Sequence, residues 1–476
     1  MEGRCEIGVI GMGVMGQNLA LNLARHGIPV CVYNRTAERT EAFMRERVRE
    51  EPIAPAHTLE ELVQRLSRPR RLLLMVQAGP AVDQVLEALV PLLERGDVVM
   101  DGGNSHYADT ERRMQALAAR GIHFLGIGIS GGERGALEGP SLMPGGSPEA
   151  YARVEPLLTR IAARSEEGPC CGYMGRGGAG HYVKMVHNAI EYAFMQGIAE
   201  AYDVMGTALG LSAEAIAEVF ERWNEGNLNA YLVGLAARVL RYPDPETGAP
   251  LVERILDRAE QKGTGRWAAQ SALELGVPAP TLMAAVVART LSHFKADRER
   301  IAAGFPWPDG WPATAPGDEV EALADLEAAL NLVVLTAFSQ GLWLLHEASR
   351  AYAYGVDRGE VLRVWRAGSI LRARWLGFLR EVVREDPEDP HLLFSPRFRA
   401  EIRDRLAGLP AAGRVLRLAF AHGIPMPALS TAVDYVLSMR RSRLPANLIQ
   451  AQRDAFGAHT YERIDRPGVF HTDWEG

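Results

Sequence analysis

Lysine is scarce in this chain: of 52 basic residues only three, Lys184, Lys262 and Lys295, are lysines. Arginine stays protonated in proteins, so a retained lysine marks a place where a deprotonatable amine is useful. Lys184 heads a pattern that could use one. Lys184, His187, Asn188, Glu191 and Tyr192 fall at i, i+3, i+4, i+7 and i+8, one stripe of a helix. A base, an acid and groups that bind hydroxyls are lined up. Met185, Val186, Ile190, Ala193 and Phe194 surround the stripe with apolar residues, which argues against a merely solvated polar face. Upstream, Gly128-Ile-Ser-Gly-Gly132 and Gly139-Pro-Ser-Leu-Met-Pro-Gly-Gly146 read as two glycine-rich loops whose N–H groups could face a carboxylate. Asn104, in Asp101-Gly-Gly-Asn104, ends a strand where the ligands of open sheets collect.

A second chemistry is written near the start. Glu6 to Ile10 reads as a buried strand, Gly11-Met-Gly-Val-Met-Gly16 as a tight loop, and Gln17 to His26 as a helix. Glycine at 11 permits the turn, glycine at 13 lets a pyrophosphate approach the backbone, and glycine at 16 lets helix and strand pack closely. The phosphates would sit at the helix N-terminus. The next strand, Pro29 to Tyr33, ends in Asn34-Arg35-Thr36, where an enzyme using NAD usually places an acidic residue. An arginine there suits a 2′-phosphate, so the expected cofactor is NADP.

The elements that must position these groups follow from periodicity. Further strands are expected at Arg71 to Val76, Val98 to Asp101 and His123 to Gly126, separated by helical stretches. The expected fold is an α/β Rossmann-type, doubly wound N-terminal domain over residues 1–178, followed by a large all-α domain over 179–439. Tyr182 to Thr207 is its long candidate helix. A weak echo at an offset of about 145 residues matches Gly210-Leu211, Ile216 and Val219-Phe220 to Gly355-Val356, Val361 and Val364-Trp365, as a duplicated helical unit would. Residues 440–476 form a turn-rich tail with no helix-length apolar face after Gly457, a segment expected to dock on something.

Composition narrows the function classes. With 52 basic against 59 acidic residues, the chain lacks the cationic excess of a nucleic-acid or anionic-membrane surface. Its longest apolar stretch, Asn331 to Leu345, is interrupted by Thr336, Ser339, Gln340 and Gly341, and no secretory leader precedes the first strand, so a cytoplasmic protein is expected. Cys5, Cys31, Cys170 and Cys171 have no metal spacing and read as free thiols, and no metal is expected.

Gly11 to Asn18, Asn34 to Thr36, Asp101 to Ser105, Ser130 to Gly132 and Lys184 to Tyr192 resemble the decarboxylating 6-phosphogluconate dehydrogenase family. So do Gln261 to Gly265, Ala288-Arg289, Leu444 to Leu448, Gln450 to Arg453 and Gly457 to Tyr461. The resemblance runs in order along nearly the whole chain. It implies Lys184 as general base and Glu191 as proton donor, with Asn104, Ser130, Gly131, Gly132, His187 and Asn188 holding the substrate's carboxylate and hydroxyls. Its phosphate would meet Tyr192, Lys262 and Arg289, with Arg453 and His459 entering from the partner subunit of a homodimer. Cofactor contacts are implied at Gly11, Met12, Gly13, Val14, Met15, Gly16, Asn34, Arg35, Thr36, Val76, Gln77, Ala78 and Asn104. Departures from the family pattern are Gln77 for a common lysine, Ala189 for a glycine and Ala455 for an aromatic residue.

The implied reaction needs a base for the 3-hydroxyl proton, a proton for the carbonyl oxygen as carbon dioxide leaves, and an acid that converts the enediol to a ketone. Neutral Lys184 could serve the first two and Glu191 the third. A 3-hydroxyisobutyrate-type dehydrogenase, which oxidises without decarboxylation, would leave Lys262, Arg289 and Arg453 without a role. A catalytically silent NADP-binding protein would be free to lose Lys184 or Glu191, and both are present.

Overall fold

A computed structural model of the chain describes residues 4–305, 318–401 and 408–475. Parts of the expected helical stretch, 306–317 and 402–407, and the chain ends 1–3 and 476 lie outside the described residues. Short runs of Ile, Val and Leu form the sheet, since β-branched and aliphatic residues fit a pleat buried on both faces. Its strands are β1 (Ile7–Ile10), β2 (Val30–Tyr33), β3 (Ile53–Pro55), β4 (Arg71–Leu74), β5 (Val98–Asp101), β6 (His123–Ser130) and β7 (Ser141–Gly146), in the order β3-β2-β1-β4-β5-β6-β7. The first six run parallel, and their order is that of a doubly wound nucleotide-binding sheet. Strand order reverses between β1 and β4, so ligands collect at their carboxyl ends.

The stretch Gly139 to Gly146 is not the loop its composition suggests. Ser141–Gly146 is strand β7, wholly buried, running antiparallel to β6 from Leu125 opposite Gly146 to Ser130 opposite Ser141. Its backbone groups on that side serve the ladder and are not offered to a carboxylate. Glycines and Pro144 hide the strand in the sequence, and proline is tolerated there because β7 is the sheet's edge. Glycine is required at 145 for close approach, since a Cβ there would lie 2.2 Å from the Gly180 nitrogen.

Ala179–Asp203, here called the site helix, crosses β6 and β7 at its start and lies along the 33-residue helix Glu319–Ala351 for the rest. It starts three residues before the expected Tyr182 and ends in a π turn, Val204–Ala208. Val183, Val186, Ile190 and Phe194 are all fully buried along it; each such side chain contributes roughly 1.5–3 kcal/mol relative to exposure. Glu319–Ala351 is long and apolar enough to cross a membrane, but 89% of its most apolar window is buried inside the fold, which makes it a core helix. Its polar interruption has a use: Gln340 Oε1 accepts from the Thr281 and Leu282 N–H groups and so caps the helix Pro280–Ser292.

Both copies of the sequence echo fall on the same local structure. Gly210 and Gly355 follow long helices at φ +69° and +70°, and each leads into a helix capped by a side chain, Ser212 before Ala213–Glu225 and Asp357 before Arg358–Val364. The tail forms a helix, Ala446–Gly457, and a small hairpin pairing Tyr461–Glu462 with Val469–Phe470. Both are organised by the fully buried Asp454, whose carboxylate accepts from Thr460 N, His471 Nδ1, Thr472 N and Trp474 Nε1. Leu448, Ile449 and Phe456 of the same helix are 61%, 60% and 76% exposed, an apolar face that this chain leaves uncovered.

Candidate active site

The glycine loop after β1 has the geometry its spacing implies. Gly11 sits at φ +106°, and a Cβ on Gly16 would lie 1.9 Å from the Gly11 carbonyl oxygen, so helix and loop could not meet with any larger residue. A Cβ on Gly13 would meet nothing within 4 Å, which leaves the open approach a pyrophosphate needs above the helix that starts at Val14. Beside it lies a cleft of about 560 Å³ whose walls include Gly11, Gly13, Asn34, Arg35, Thr36, Val76 and Gln77. Met12 is buried, and its N–H donates to Asn34 Oδ1 at 3.0 Å. Asn34 also donates to the Thr36 carbonyl, so Met12 and Asn34 brace the loop. Val14 and Met15 begin the helix, Ala78 adjoins Gln77, and Asn104 is exposed just beyond β5. Arg39 also lines this cleft and was not among the expected residues. It lies in the first turn of the helix Ala37–Arg47, which the fold sets against the cleft.

The stripe on the site helix is drawn together and buried. Gly128 of β6 makes this possible, since a Cβ there would lie 2.5 Å from Lys184 Cβ. Lys184 is 7% exposed and forms no ion pair among the described residues. Burial lowers its pKa from the usual 10.5 to about 8, against a smaller upward pull from Glu191. Burial raises Glu191, and the positive charges of Lys184 and Arg289 only partly oppose it. One helix face thus holds an amine that readily gives up its proton and a carboxyl that tends to keep one.

His187 is fully buried and held well below its usual pKa, first by burial and then by Lys184, so it is neutral. Its Nδ1 lies 3.2 Å from Asn188 Oδ1, while Asn188 Nδ2 donates to Thr264 Oγ1. That orientation assigns the ring proton to Nδ1 and leaves Nε2 as acceptor for the hydroxyls of Ser369, at 2.8 Å, and Ser130, at 3.1 Å. Ile370 N–H in turn donates to Ser130 Oγ at 3.2 Å. Ser369 and Ile370 lie some 180 residues from His187 and carry no sequence signal. Gly131 and Gly132 follow Ser130 and open the short helix Gly132–Glu138.

At the far end of the stripe, the Arg289 guanidinium lies 3.5 Å from the centre of the buried Tyr192 ring. A Cβ on Gly265 would lie 2.8 Å from the same ring, so the start of the helix Thr264–Glu274 abuts it. Lys262, exposed, sits in the loop just before that helix. Arg289 and the start of the helix Thr264–Glu274 thus adjoin the Tyr192 ring, with Lys262 in the loop that leads into that helix. Among the described residues, the contacts of Arg453 and His459 lie within the tail. Arg453 donates to Gln450 in its own helix, and the His459 ring packs on Phe456.

Comparisons with known proteins show the family. Residues 6–175 match the family model of the NAD binding domain of 6-phosphogluconate dehydrogenase, and residues 180–474 that of the 6-phosphogluconate dehydrogenase C-terminal domain. The decarboxylating 6-phosphogluconate dehydrogenase of Synechococcus elongatus is 50% identical over 471 residues, 98% of this chain and 99% of that protein. The NADP(+)-dependent, decarboxylating enzyme of Bacillus subtilis is 46% identical over 469 residues, 98% of this chain and 99% of its own length. Among solved structures, Plasmodium falciparum 6-phosphogluconate dehydrogenase, determined in apo form and in complexes with NADP+ and 6-phosphogluconate, superposes with a TM-score of 0.94 at 40% identity, covering 99% of this chain and 100% of that one.

Proposed function

The chain belongs to the 6-phosphogluconate dehydrogenase family, and on that premise we propose how its residues divide the work of the reaction. The enzyme oxidises and decarboxylates 6-phosphogluconate to ribulose 5-phosphate and carbon dioxide, a step of the pentose phosphate pathway. NADP, when bound, supplies the hydride acceptor. The observation that carries the assignment of roles is the buried amine of Lys184, poised near pH 8 on one helix face with neutral His187 and the raised carboxyl of Glu191.

Lys184 takes the proton of the 3-hydroxyl as the sugar acid is oxidised, then returns it to the carbonyl oxygen as carbon dioxide leaves. Glu191 protonates carbon 1 of the enediol that remains. His187, Asn188 and Asn104 hold the hydroxyls, and Ser130 with the Gly131 and Gly132 backbone holds the carboxylate. Because burial holds His187 well below its usual pKa, it orients without competing with Lys184 for the transferred proton. Tyr192, Lys262 and Arg289, at the start of the helix Thr264–Glu274, take the phosphate. The cofactor is held by the loop Gly11, Met12, Gly13, Val14, Met15 and Gly16, by Asn34, Arg35 and Thr36 on the adenosine side, by Val76, Gln77 and Ala78 on the cleft wall, and by Asn104. We add Arg39 to this set, facing the 2′-phosphate with Arg35. Four free, buried cysteines suit the reducing cytoplasm, where we place the enzyme.

Arg35→Ala raises KM for NADP about 10- to 100-fold, the worth of one charge-assisted pair, and leaves KM for NAD nearly unmoved. Steady-state kinetics with both cofactors decide it, and an equal loss on both would assign Arg35 a structural role.

The tail completes the site of a partner subunit. This reading is supported by the exposed Leu448, Ile449 and Phe456, by the tail's organisation around Asp454, and by the described contacts of Arg453 and His459, which lie within the tail. Mixing inactive Lys184→Met and Arg453→Ala homodimers tests it. A hybrid dimer then holds one site with its own Lys184 and an intact partner arginine, so re-paired subunits recover roughly a quarter of wild-type activity. If Arg453 served its own chain, mixing would recover none.

A further inference from the structure

A cleft of about 830 Å³ lies apart from both sites, between the Arg164–Ser165 strand, Tyr231 at the start of the helix Tyr231–Leu240, and residues 366–374. Arg164, Arg238, Arg366, Arg372 and Arg374 line it, facing the carboxylates of Glu166 and Glu221. Those carboxylates are engaged, Glu166 with Arg366 at 3.7 Å and Glu221 with Arg241. Arg366 is further neutralised by Glu167. Among the described residues, Arg164, Arg238, Arg372 and Arg374 have no carboxylate partner.

Arginine abundance alone does not explain this. Elsewhere in the chain Arg112 and Arg113 share Asp83, Arg397 takes Glu381 and Glu385, and Arg414 takes Asp325. In the cleft the cations converge instead. Arg372 stacks on the Tyr231 ring at 3.6 Å, and Arg238 approaches the same ring at 5.8 Å. Burial lowers the pKa of Arg372 against an upward pull from Tyr231, and the charges of Arg238 and Arg134 lower it further. Forked guanidinium groups without carboxylate partners around one open cleft match a ligand bearing several negative charges.

One wall leads to His187 and Ser130, assigned above to holding the substrate, and the coupling rests on that assignment. Arg372 Nη1 donates to the Ser369 carbonyl at 2.6 Å, Ser369 Oγ lies 2.8 Å from His187 Nε2, and Ile370 N–H donates to Ser130 Oγ. The same segment is tied to the cleft's other wall by Tyr231 N–H to the Arg372 carbonyl, at 3.0 Å. We infer that this cleft binds a small, multiply charged anion bearing phosphate or carboxylate groups, and that its occupation reaches His187 through Arg372 and Ser369.

The test uses the full-length enzyme saturated with NADPH and 6-phosphogluconate, which fills both known sites without turnover. Calorimetric titration with inorganic pyrophosphate gives saturable binding at one site per chain. Affinity falls at least about tenfold in Arg164→Ala/Arg238→Ala, which removes two of the unpaired cations. Citrate as the second probe distinguishes the sources: competition by citrate means that charge is read, and binding of pyrophosphate alone means that phosphate is. At saturating substrate and NADP, pyrophosphate shifts kcat of the wild type and leaves the variant unmoved. No saturable binding, or equal affinity in the variant, overturns the site, and binding with kcat unchanged overturns the coupling. Failure of the functional assignment would show separately, as absent NADPH formation without any pyrophosphate.

Discussion

Lys184→Met lowers kcat by about 10⁴-fold, at the upper end for one proton-transfer group because this amine acts first as base and then as acid. That is about 5 kcal/mol of transition-state stabilisation. The dissociation constant for NADP stays near wild type, because Lys184 lies on the site helix and not on the glycine loop or the Arg35 cleft. Lys184→Arg does not rescue, since a guanidinium has no accessible neutral form to accept the 3-hydroxyl proton. The pH profile carries the sharper signature. A base must be unprotonated to act, so kcat/KM for 6-phosphogluconate rises as pH climbs through about 8, where Lys184 gives up its proton. An acid limb centred two or more units lower, or near-normal turnover in Lys184→Arg, would remove Lys184 from the role of base.

Glu191→Gln lowers kcat by about 10²- to 10³-fold and changes which step is slow. The amide keeps the shape and hydrogen bonding of the carboxyl but has no proton to donate to the enediol. Oxidation and decarboxylation then still run once per site. Rapid mixing shows a burst of reduced cofactor equal to the number of sites, with carbon dioxide released in the same phase, followed by slow turnover. The wild-type carboxyl suits the part because burial raises its pKa, so it keeps its proton to higher pH than an exposed glutamate. A Glu191→Gln enzyme without a burst, slowed equally in every phase, would mean that Glu191 acts before or during oxidation.

Much of this was legible in the residues. The glycine loop could be read because its chemistry is local: Gly16 answers to the Gly11 backbone and Gly11 to that of Met75 in the same unit, while Gly13 keeps the approach open. The stripe from Lys184 to Tyr192 could be read because helix geometry puts i, i+3, i+4, i+7 and i+8 on one face regardless of what surrounds it. Arg35 was readable from its place after β2, whereas Arg39 needed the first turn of the following helix to be placed against the cleft.

The remainder depends on contacts between segments far apart in the chain. The glycine- and proline-rich 139–146 stretch looks like a loop until β6 pairs with it and the Gly180 backbone packs against it. Ser369 and Ile370 reach His187 and Ser130 only because the segment carrying them folds back onto the start of the site helix. Asp454 becomes the centre of the tail only when a helix and a hairpin close around its carboxylate. The sequence by itself determined the kinds of groups and their order along each element, because backbone periodicity converts spacing into a shared face. Tertiary structure decided their protonation: Lys184, Glu191 and His187 have ordinary pKa values in an open chain, and only burial, with the charges packed beside them, moves them to where the reaction needs them.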